Sequence, residues 1–556
     1  FRNGDPHNDP TKEQVLADRA NDWQIHPWTS DWYKLQPWEA IRGQDFYTLV
    51  WDRRYGGDLI GVIEKLDYLQ ALGVEVIYFN PIFAAPSLHK YDAITYHHID
   101  NSFGPDRDGD WAAIQSEKED PATWTFTQAD RTFLELIRRA HQRGIKIVID
   151  GVFNHSGSEF WAFKDIKEHQ QNSAYKDWFD VVRWDDPATP DTNEFDYRAW
   201  WGFKHHPEFK EDENGLTPAV KKYFFDITRR WMDPNGDGDP SDGVDGWRLD
   251  VAADVSTKFW EEWYQLVKSI NPQAYTTGEI WEEAAEWIAR KRFDAVMNYP
   301  LAYAMIDFFV DKQTKISVSE FDRRLERLRN LYPEETNHIL MNLIDSHDTD
   351  RIASMIKNPD RDYNQKAGVR DNPHYDPRKP KAAEKNIQKL LAIFQLTYVG
   401  APMLYYGDEA GMWGGHDPDC RKPMLWQEWV YENETYATVR PDLKDADENK
   451  FDPDLFHHYK KLIRIRKENP AIRRGTFATT LIDDDKGLYA YLRKHDNNEV
   501  LVILNNSDAK QTIKVPAPWA NNTNVADQLN ETHYQVKKGK IALALDKKWG
   551  AILVKK

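Results

Sequence analysis

The chain has 556 residues, of which 40% are hydrophobic and 29% charged, with a formal net charge of −18. That length is too great for one small domain and suits several domains, or one large α/β barrel with an appendage. The acidic balance argues against nucleic acid, whose phosphates need a positive footprint, and no apolar run is long enough to span a bilayer.

The first residues, "FRNGDPHNDP", contain neither an initiating Met nor a signal peptide, so the chain is expected to start after processing, cleavage or truncation. Within them Asn3, Asp5, Asn8 and Asp9 share one tight turn. Several hard oxygens in a short loop suit Ca²⁺ better than Mg²⁺ or Zn²⁺, although a metal-free Asn/Asp turn has the same composition. "DLIGVIEKLDYLQALG" then places Leu59, Ile63, Leu66, Leu69 and Leu72 on one helical stripe ending at Gly73, and "VEVIYFNPIF" follows as a strand. The alternation recurs: "RTFLELIRRAHQRG" before "IKIVIDGVF", "STKFWEEWYQLVKSI" before "AYTTGEIW", and "NIQKLLAIFQLTYVG" before "APMLYYGDE". Helix followed by β-rich strand at this rhythm indicates a parallel sheet with helical crossovers.

Seven strands are predicted, near Val76, Ile147, Gly246, Tyr275, Ala295, Ile339 and Met403; eight would close a TIM barrel. Two long insertions interrupt the rhythm, a polar one over Asn80–Leu134 and one over about Ser156–Pro218 that is rich in Trp, Phe, Asp and His. "DPNGDGDPSD" offers Asp233, Asn235, Asp237, Asp239 and Asp242 and begins like an EF-hand loop, but its twelfth position is Val244 instead of Glu; a solvated turn fits it equally well. After Arg473 short alternating runs separated by Asn, Asp and Gly read as an all-β domain. The expected division is a first part of the barrel over 1–155, an inserted domain B over 156–218, the rest of the barrel over 219–472 and a β-sandwich over 473–556. The single cysteine, Cys420, excludes an internal disulfide and a cysteine-only metal site.

Acidic and polar groups recur where the predicted strands stop: Asp150, Asn154 and His155 in "IVIDGVFNH", Arg248 and Asp250 in "DGWRLD", Glu279 in "TTGEIW", His347 and Asp348 in "NLIDSHDTD". Barrel enzymes gather their chemistry at the C-terminal ends of several strands. Arg and Asp two residues apart in a buried strand must be paired, and an adjacent cation lowers a carboxylate pKa. Asp250 therefore reads as a nucleophile kept ionised by Arg248. Glu279, beside Ile280 and Trp281, reads as an acid whose apolar surround retains the proton. Two such carboxyls about 5–5.5 Å apart fit retaining glycoside hydrolysis. Most of the 74 aromatic residues (23 Trp, 26 Tyr, 25 Phe) must be core, but "WDRRY", "WAFKD" and "RAWWGF" are loop-like, where flat rings can stack on sugar faces.

"DGVFNH", "GWRLD", "GEIW" and "SHD", in that order, resemble the signature regions of the α-amylase family, glycoside hydrolase family 13, and the resemblance runs from the first residues to the last. It implies a TIM barrel with domain B and a C-terminal β-sandwich. It also implies Asp250 as nucleophile, Glu279 as general acid/base and Asp348 as a third acid gripping sugar hydroxyls. Tyr91 in "HKYD" matches a tyrosine that stacks beside the cleaved sugar; His89, His155, Arg248 and His347 match its polar surround, and Asp150 a supporting acid. "PIFAAPSLHKYD" and "GGHDPDCRKPMLW" resemble most the neopullulanases, cyclomaltodextrinases and maltogenic amylases, in which Asp417 and Arg421 correspond to substrate contacts. Trp281 would either stack on a sugar or pack. Ala253 and Asp254 depart from the Lys-His of plain α-amylases.

The resemblance further implies a structural Ca²⁺ held by Asn3, Asp5, Asn8 and Asp9 with Gly56 and Asp58, and no organic cofactor. The substrate is expected to be an α-glucan, such as pullulan, cyclodextrin, starch or maltooligosaccharides, cleaved at α-1,4 bonds, with α-1,6 cleavage left open. An α-glucan transglycosylase shares the same intermediate, and a non-catalytic, transporter-associated binding relative is the alternative of another class. Relatives carry a strand, and often a β-sandwich, before the calcium loop. The first barrel strand is thus expected to be missing here, with an upstream segment or domain of the same protein to supply it. Subgroup members dimerise through that domain, which leaves room for a homodimer. Calcium and a polymeric substrate lean towards an extracellular setting.

Overall fold

The computed structural model describes residues 1–15, 22–190 and 194–556. It divides into two compact units, Phe1–Trp28 with Leu35–Ile280 and Ala284–Val296, and Thr29–Lys34 with Trp281–Glu283 and Met297–Lys556.

The first unit is built on five parallel strands: β1 (Val76–Phe79), β2 (Lys146–Gly151), β3 (Gly246–Leu249), β4 (Tyr275–Gly278) and β5 (Ala295–Val296), in that spatial order. Parallel strands need long crossovers, and the helices supply them. Gln128–His141 precedes β2, opening on a Thr127–Asp130 capping box and ending in Arg138, Arg139 and His141, which suit the negative end of its dipole. Pro218–Met232 precedes β3, and Thr257–Ile270 precedes β4. β2 and β3 are buried on both faces, which explains their near-continuous apolar sequence. Gly246 is there because β4 comes so close: a Cβ would lie 2.2 Å from the Tyr275 carbonyl oxygen. The one helical stripe predicted before β1 is two helices, Leu59–Glu64 and Leu66–Leu72, broken where Lys65 leaves helical geometry (φ −101°, ψ 6°).

The second unit contains β6 (Met341–Asn342), paired in parallel with β7 (Ala401–Pro402). All seven strands predicted from the sequence are thus present, each shorter than its apolar run suggests. Among the described residues the first strand in chain order is β1. The same unit ends in an antiparallel six-stranded sheet and a two-stranded one. The strand Lys540–Leu545 alternates exposed and buried residues strictly. Ile541, Leu543 and Leu545 pack with Leu488, Leu501, Ile503, Ile513, Val515 and Leu553 between the sheets. The terminal run "KIALALDKKWGAILVKK" forms two strands, Lys540–Leu545 and Trp549–Lys555.

Candidate active site

Register places the charged groups in the first unit. Asp150, near the end of β2, lies opposite Arg248 of β3, and Leu249 lies opposite Gly278 of β4, so Asp250 and Glu279 both follow directly at strand ends. Backbone bonds extend the pairing by one step, with Asp250 N–H donating to the Gly151 carbonyl (3.1 Å) and Glu279 N–H to Leu249 (2.9 Å). Residues two apart on a strand share a face, so Arg248 and Asp250 point the same way.

Arg248 is fully buried and serves three carboxyls at once. Its Nη1 donates to both oxygens of Asp150 (3.0 Å each) and to Asp250 Oδ1 (2.6 Å), and its Nη2 lies 2.9 Å from Glu279 Oε2 in an ion pair. Tyr78, on β1, donates to Asp150 Oδ2 at 2.7 Å, and Tyr91 does so at 3.1 Å. Immediately after Asp250, Val251 takes a left-handed conformation (φ 38°, ψ 46°), which a β-branched residue rarely adopts. That turn aims its N–H at Glu279 Oε2, 2.9 Å away. Such conformations persist only where the surroundings over-determine them, and they cluster at functional sites.

One electrostatic expectation is revised. Arg248 does favour the Asp250 anion, but burial, followed by repulsion from Glu279 and Asp150, outweighs it and pushes the Asp250 carboxyl well above the usual range. Asp150 is raised for the same reasons, burial foremost, against Arg248 and Tyr78. Three carboxyls around one guanidinium cannot all ionise cheaply in a buried site. Glu279, beside Ile280 and Trp281 in the chain, also faces Arg248 and the Val251 N–H.

Histidines flank this cluster. His89 stacks beside Tyr91, with ring centroids 5.9 Å apart, and His206 lies 5.9 Å from His89 and 4.8 Å from His155. Burial lowers the pKa of His155 well below its usual value and that of His206 to about 4, so both rings are neutral near pH 7. His155 Nε2 and His206 Nδ1 are buried and have no hydrogen-bonding partner among the described residues, a cost normally met by a ligand or water.

In the second unit, Asp348 Oδ2 lies 3.1 Å from His347 Nε2, and Asp348 Oδ1 lies 3.7 Å from Arg421 Nη2. Arg421 pairs with Asp417 through Nε at 2.7 Å, and burial raises the Asp417 pKa against that pairing. Trp281 lies flat on Tyr299 (4.0 Å, 12°), so one of its faces is already packed.

In the N-terminal loop the Asp58 carboxylate accepts from the N–H groups of Gly4, Asp5 and Gly61 (2.6–3.1 Å). It thereby caps the helix that follows and ties the loop to it. Asp5 instead accepts from His7 at 3.0 Å. Asn3 Oδ1 and Asn8 Oδ1 are buried without partners among the described residues, and burial raises the Asp9 pKa to about 6. Gly56, at φ +71°, backs onto them so closely that a Cβ would sit 1.9 Å from Asp9 Oδ1. The 233–242 loop is closed on itself: Asp233, Asn235, Asp237 and Asp239 each accept a nearby backbone N–H, while Asp233 Oδ1 and Asp242 Oδ1 have no partner among the described residues. Among the described residues one further group could hold a metal, His97, His98 and Glu117. There His98 is clamped between Asp130 (2.8 Å) and Glu117 (3.0 Å), and these carboxylates raise its pKa against burial.

Residues 1–119 and 125–475 match the model of the α-amylase catalytic domain, and residues 485–543 match that of the cyclomaltodextrinase C-terminal domain. The chain belongs to the α-amylase family. It is 36% identical over 553 residues to neopullulanase 2 of Thermoactinomyces vulgaris, covering 100% of this chain and 75% of that one. A solved cyclomaltodextrinase superposes with a TM-score of 0.70 at 32% identity, covering 90% of this chain and 71% of that one. The ligand-free cyclic α-maltosyl-(1→6)-maltose hydrolase of Arthrobacter globiformis gives 0.70 at 26% identity, covering 100% and 95%. The fold is accordingly a TIM-barrel catalytic domain followed by an all-β domain.

Tyr78 and His206 were not singled out from the sequence, and Trp200 was marked only as part of the loop-like "RAWWGF". A hydroxyl in the otherwise apolar strand "VIYF" was the available signal for Tyr78. His206 and Trp200 lie in an insertion without periodicity, where only composition pointed to function.

Proposed function

We propose that this chain is a retaining hydrolase of α-glucans, cleaving α-1,4 and also α-1,6 glucosidic bonds in substrates such as cyclodextrins and pullulan. The observation that carries the reading is one buried guanidinium reaching both Asp250 and Glu279. That favours the close carboxyl spacing of retention, about 5–5.5 Å, over the wider one that admits a water. Asp250 attacks the anomeric carbon while Glu279 protonates the departing oxygen. Glu279 then takes a proton from water, whose oxygen displaces Asp250 from the sugar. The raised pKa of the free Asp250 is offset as positive charge develops on the sugar ring in the transition state.

Asp150 with Tyr78 and Tyr91 positions Arg248. The unpartnered nitrogens of His155 and His206 accept or donate to sugar hydroxyls, and His89 and Tyr91 supply ring faces. Asp348 with His347 acts as the third acid, and Asp417 and Arg421 bind further along the substrate. The domain division at 155/156, 218/219 and 472/473 belongs to the same proposal. Ca²⁺ fits the N-terminal loop: the Asn3 and Asn8 oxygens, without partners among the described residues, and the half-buried Asp9 carboxylate are hard donors within one short loop, with Asp58 fastening the loop. The ion would be structural and takes no part in the chemistry.

The test is product analysis with Asp250→Asn as control. The enzyme should open cyclodextrins, and should release panose from pullulan by α-1,4 cleavage or maltotriose by α-1,6 cleavage. The variant should lose ~10⁴-fold or more in kcat while still binding glucan. A wild-type protein inert towards every α-glucan, or a variant that keeps appreciable turnover, would sink the proposal.

A further inference from the structure

The six residues Thr29–Lys34 belong to the second unit, far in sequence from the rest of it. Asp31 bends them: its Oδ1 accepts from the Tyr33 N–H at 3.0 Å, an Asx turn, and its carbonyl accepts from the Lys34 N–H at 3.3 Å. Neighbours on an extended chain would point to opposite sides, but here two consecutive rings reach one carboxylate. Trp32 Nε1 donates to Asp419 Oδ1 (2.9 Å) across 387 residues of chain, and the Tyr33 hydroxyl donates to Asp419 Oδ2 (3.1 Å). All three side chains are buried, and a buried carboxylate needs such donors. The turn is itself clamped from behind. Asp31 Oδ2 accepts from the Thr435 N–H (3.0 Å), the Glu432 N–H donates to the Thr29 carbonyl (2.9 Å), and Lys34 pairs with Glu432 (2.9 Å).

Asp419 opens the short turn that carries Arg421 (Asp419–Arg421), and the other neighbours of Arg421 are gripped as well. The Cys420 carbonyl accepts from Arg351 Nε (3.0 Å), and the Cys420 thiol donates to the His347 carbonyl (3.1 Å). Lys422 pairs with the buried Glu434 (2.5 Å), and its carbonyl accepts from the Tyr406 hydroxyl (2.7 Å). Behind the turn there is no slack: a Cβ on Gly414 would meet the Asp419 carbonyl oxygen at 2.1 Å. Arg421 itself extends to the functional groups, pairing with Asp417 (2.7 Å) and lying 3.7 Å from Asp348. A guanidinium presents its donors in a rigid fork, so a small shift of its backbone misaims all of them together. Core packing accounts for one or two of these bonds. Grips on both sides of a single charged side chain describe a seat for it.

We infer that Thr29–Lys34 is a brace, with Trp32 and Tyr33 as positioning residues that act through Asp419 to seat Arg421 for glucan binding. The inference rests on the substrate role proposed above for Asp417 and Arg421. Its test is a double-mutant cycle on maltoheptaose hydrolysis, with Trp32→Phe and Tyr33→Phe each made alone and combined with Arg421→Ala. Both substitutions remove a donor and keep an aromatic ring. The brace predicts that each raises KM about three- to tenfold with kcat nearly unchanged, and that neither raises it further once Arg421 is replaced. Asp419→Asn, which loses one of the two acceptors and keeps its shape, is an independent variant and should give the same pattern. Wild-type KM in these variants overturns the brace and spares the proposed function. So does a rise of equal size with and without Arg421, which marks a general loosening of the loop. An Arg421→Ala enzyme with wild-type kinetics overturns the substrate role of Arg421 and the brace with it. A wild type inert towards maltoheptaose overturns the hydrolase reading and the brace together.

Discussion

Replacing Arg248 by Met removes a charge while keeping an unbranched side chain. Arg248 is fully buried and contacts Asp150, Asp250 and Glu279. Removing one partner of a buried ion pair costs about 3–5 kcal/mol, because the other charge stays buried and unpaired. Here the loss depends on pH. Burial and mutual repulsion hold Asp150 and Asp250 above their unfolded pKa values. The folded state therefore binds more protons than the unfolded chain, and stability falls as pH rises through the raised values. Arg248 opposes that rise in both groups. Without it the fall should continue to higher pH and go deeper. The full penalty of about 3–5 kcal/mol should be seen on the alkaline side, fading towards the ordinary carboxyl pKa of about 4, where the carboxyls are neutral in both states. Urea unfolding followed by tryptophan fluorescence at about pH 5 and about pH 8 measures this, with the first transition as readout since a chain of two units need not unfold in one step. Equal midpoints for variant and wild type at the higher pH, or an identical penalty at both, would refute the reasoning. Losing the donor that orients Asp250 should also lower kcat/KM by ~10²-fold or more.

Glu279→Gln cannot donate a proton, so it should lose ~10²–10⁴-fold on natural glucans but recover much of that on aryl maltosides with acidic phenol leaving groups. An equal loss on both would remove Glu279 from the acid role. Chelation should lower the melting temperature without changing kcat in the protein that remains folded. At calcium a hundredfold above its dissociation constant the ion contributes about 2.7 kcal/mol, and identical melting curves with and without chelator would exclude it. Gly56→Ala, whose Cβ would meet Asp9 Oδ1 at 1.9 Å, should reproduce the chelated state in the presence of calcium; a calcium-responsive Gly56→Ala protein would place the ion elsewhere.

Strand positions and charged strand ends were legible in the sequence because each follows from a short local rule: β-rich runs after helical stripes, and Arg and Asp two apart in a buried strand. What local rules could not supply was the environment of each carboxyl. Ile280 and Trp281 suggested an apolar setting for Glu279 but not the presence of Arg248, brought by the pairing of β3 with β4. Asp250 was read from Arg248 alone, whereas burial, followed by repulsion from Glu279 and Asp150 on the adjacent strands, reverses the net direction. The break at Lys65 escaped notice because the apolar stripe continues through it. Tyr78, His206 and Trp200 contribute through contacts across 72, 51 and 45 residues of chain, to Asp150, His155 and His155 respectively, and no periodicity records those.

The alignment of β2 with β3 has a consequence for how such a chain can vary. Asp150 faces Arg248 only because the two strands run side by side in one frame, and displacing either by a single residue would turn its inward side chains outward. Deleting or adding one residue within Lys146–Gly151 or Gly246–Leu249 would thus dismantle the charged centre at a stroke, even with every functional side chain still encoded. Length changes should be tolerated instead in the surface segments between strands, so novelty in this lineage has room to accumulate around the centre without touching it.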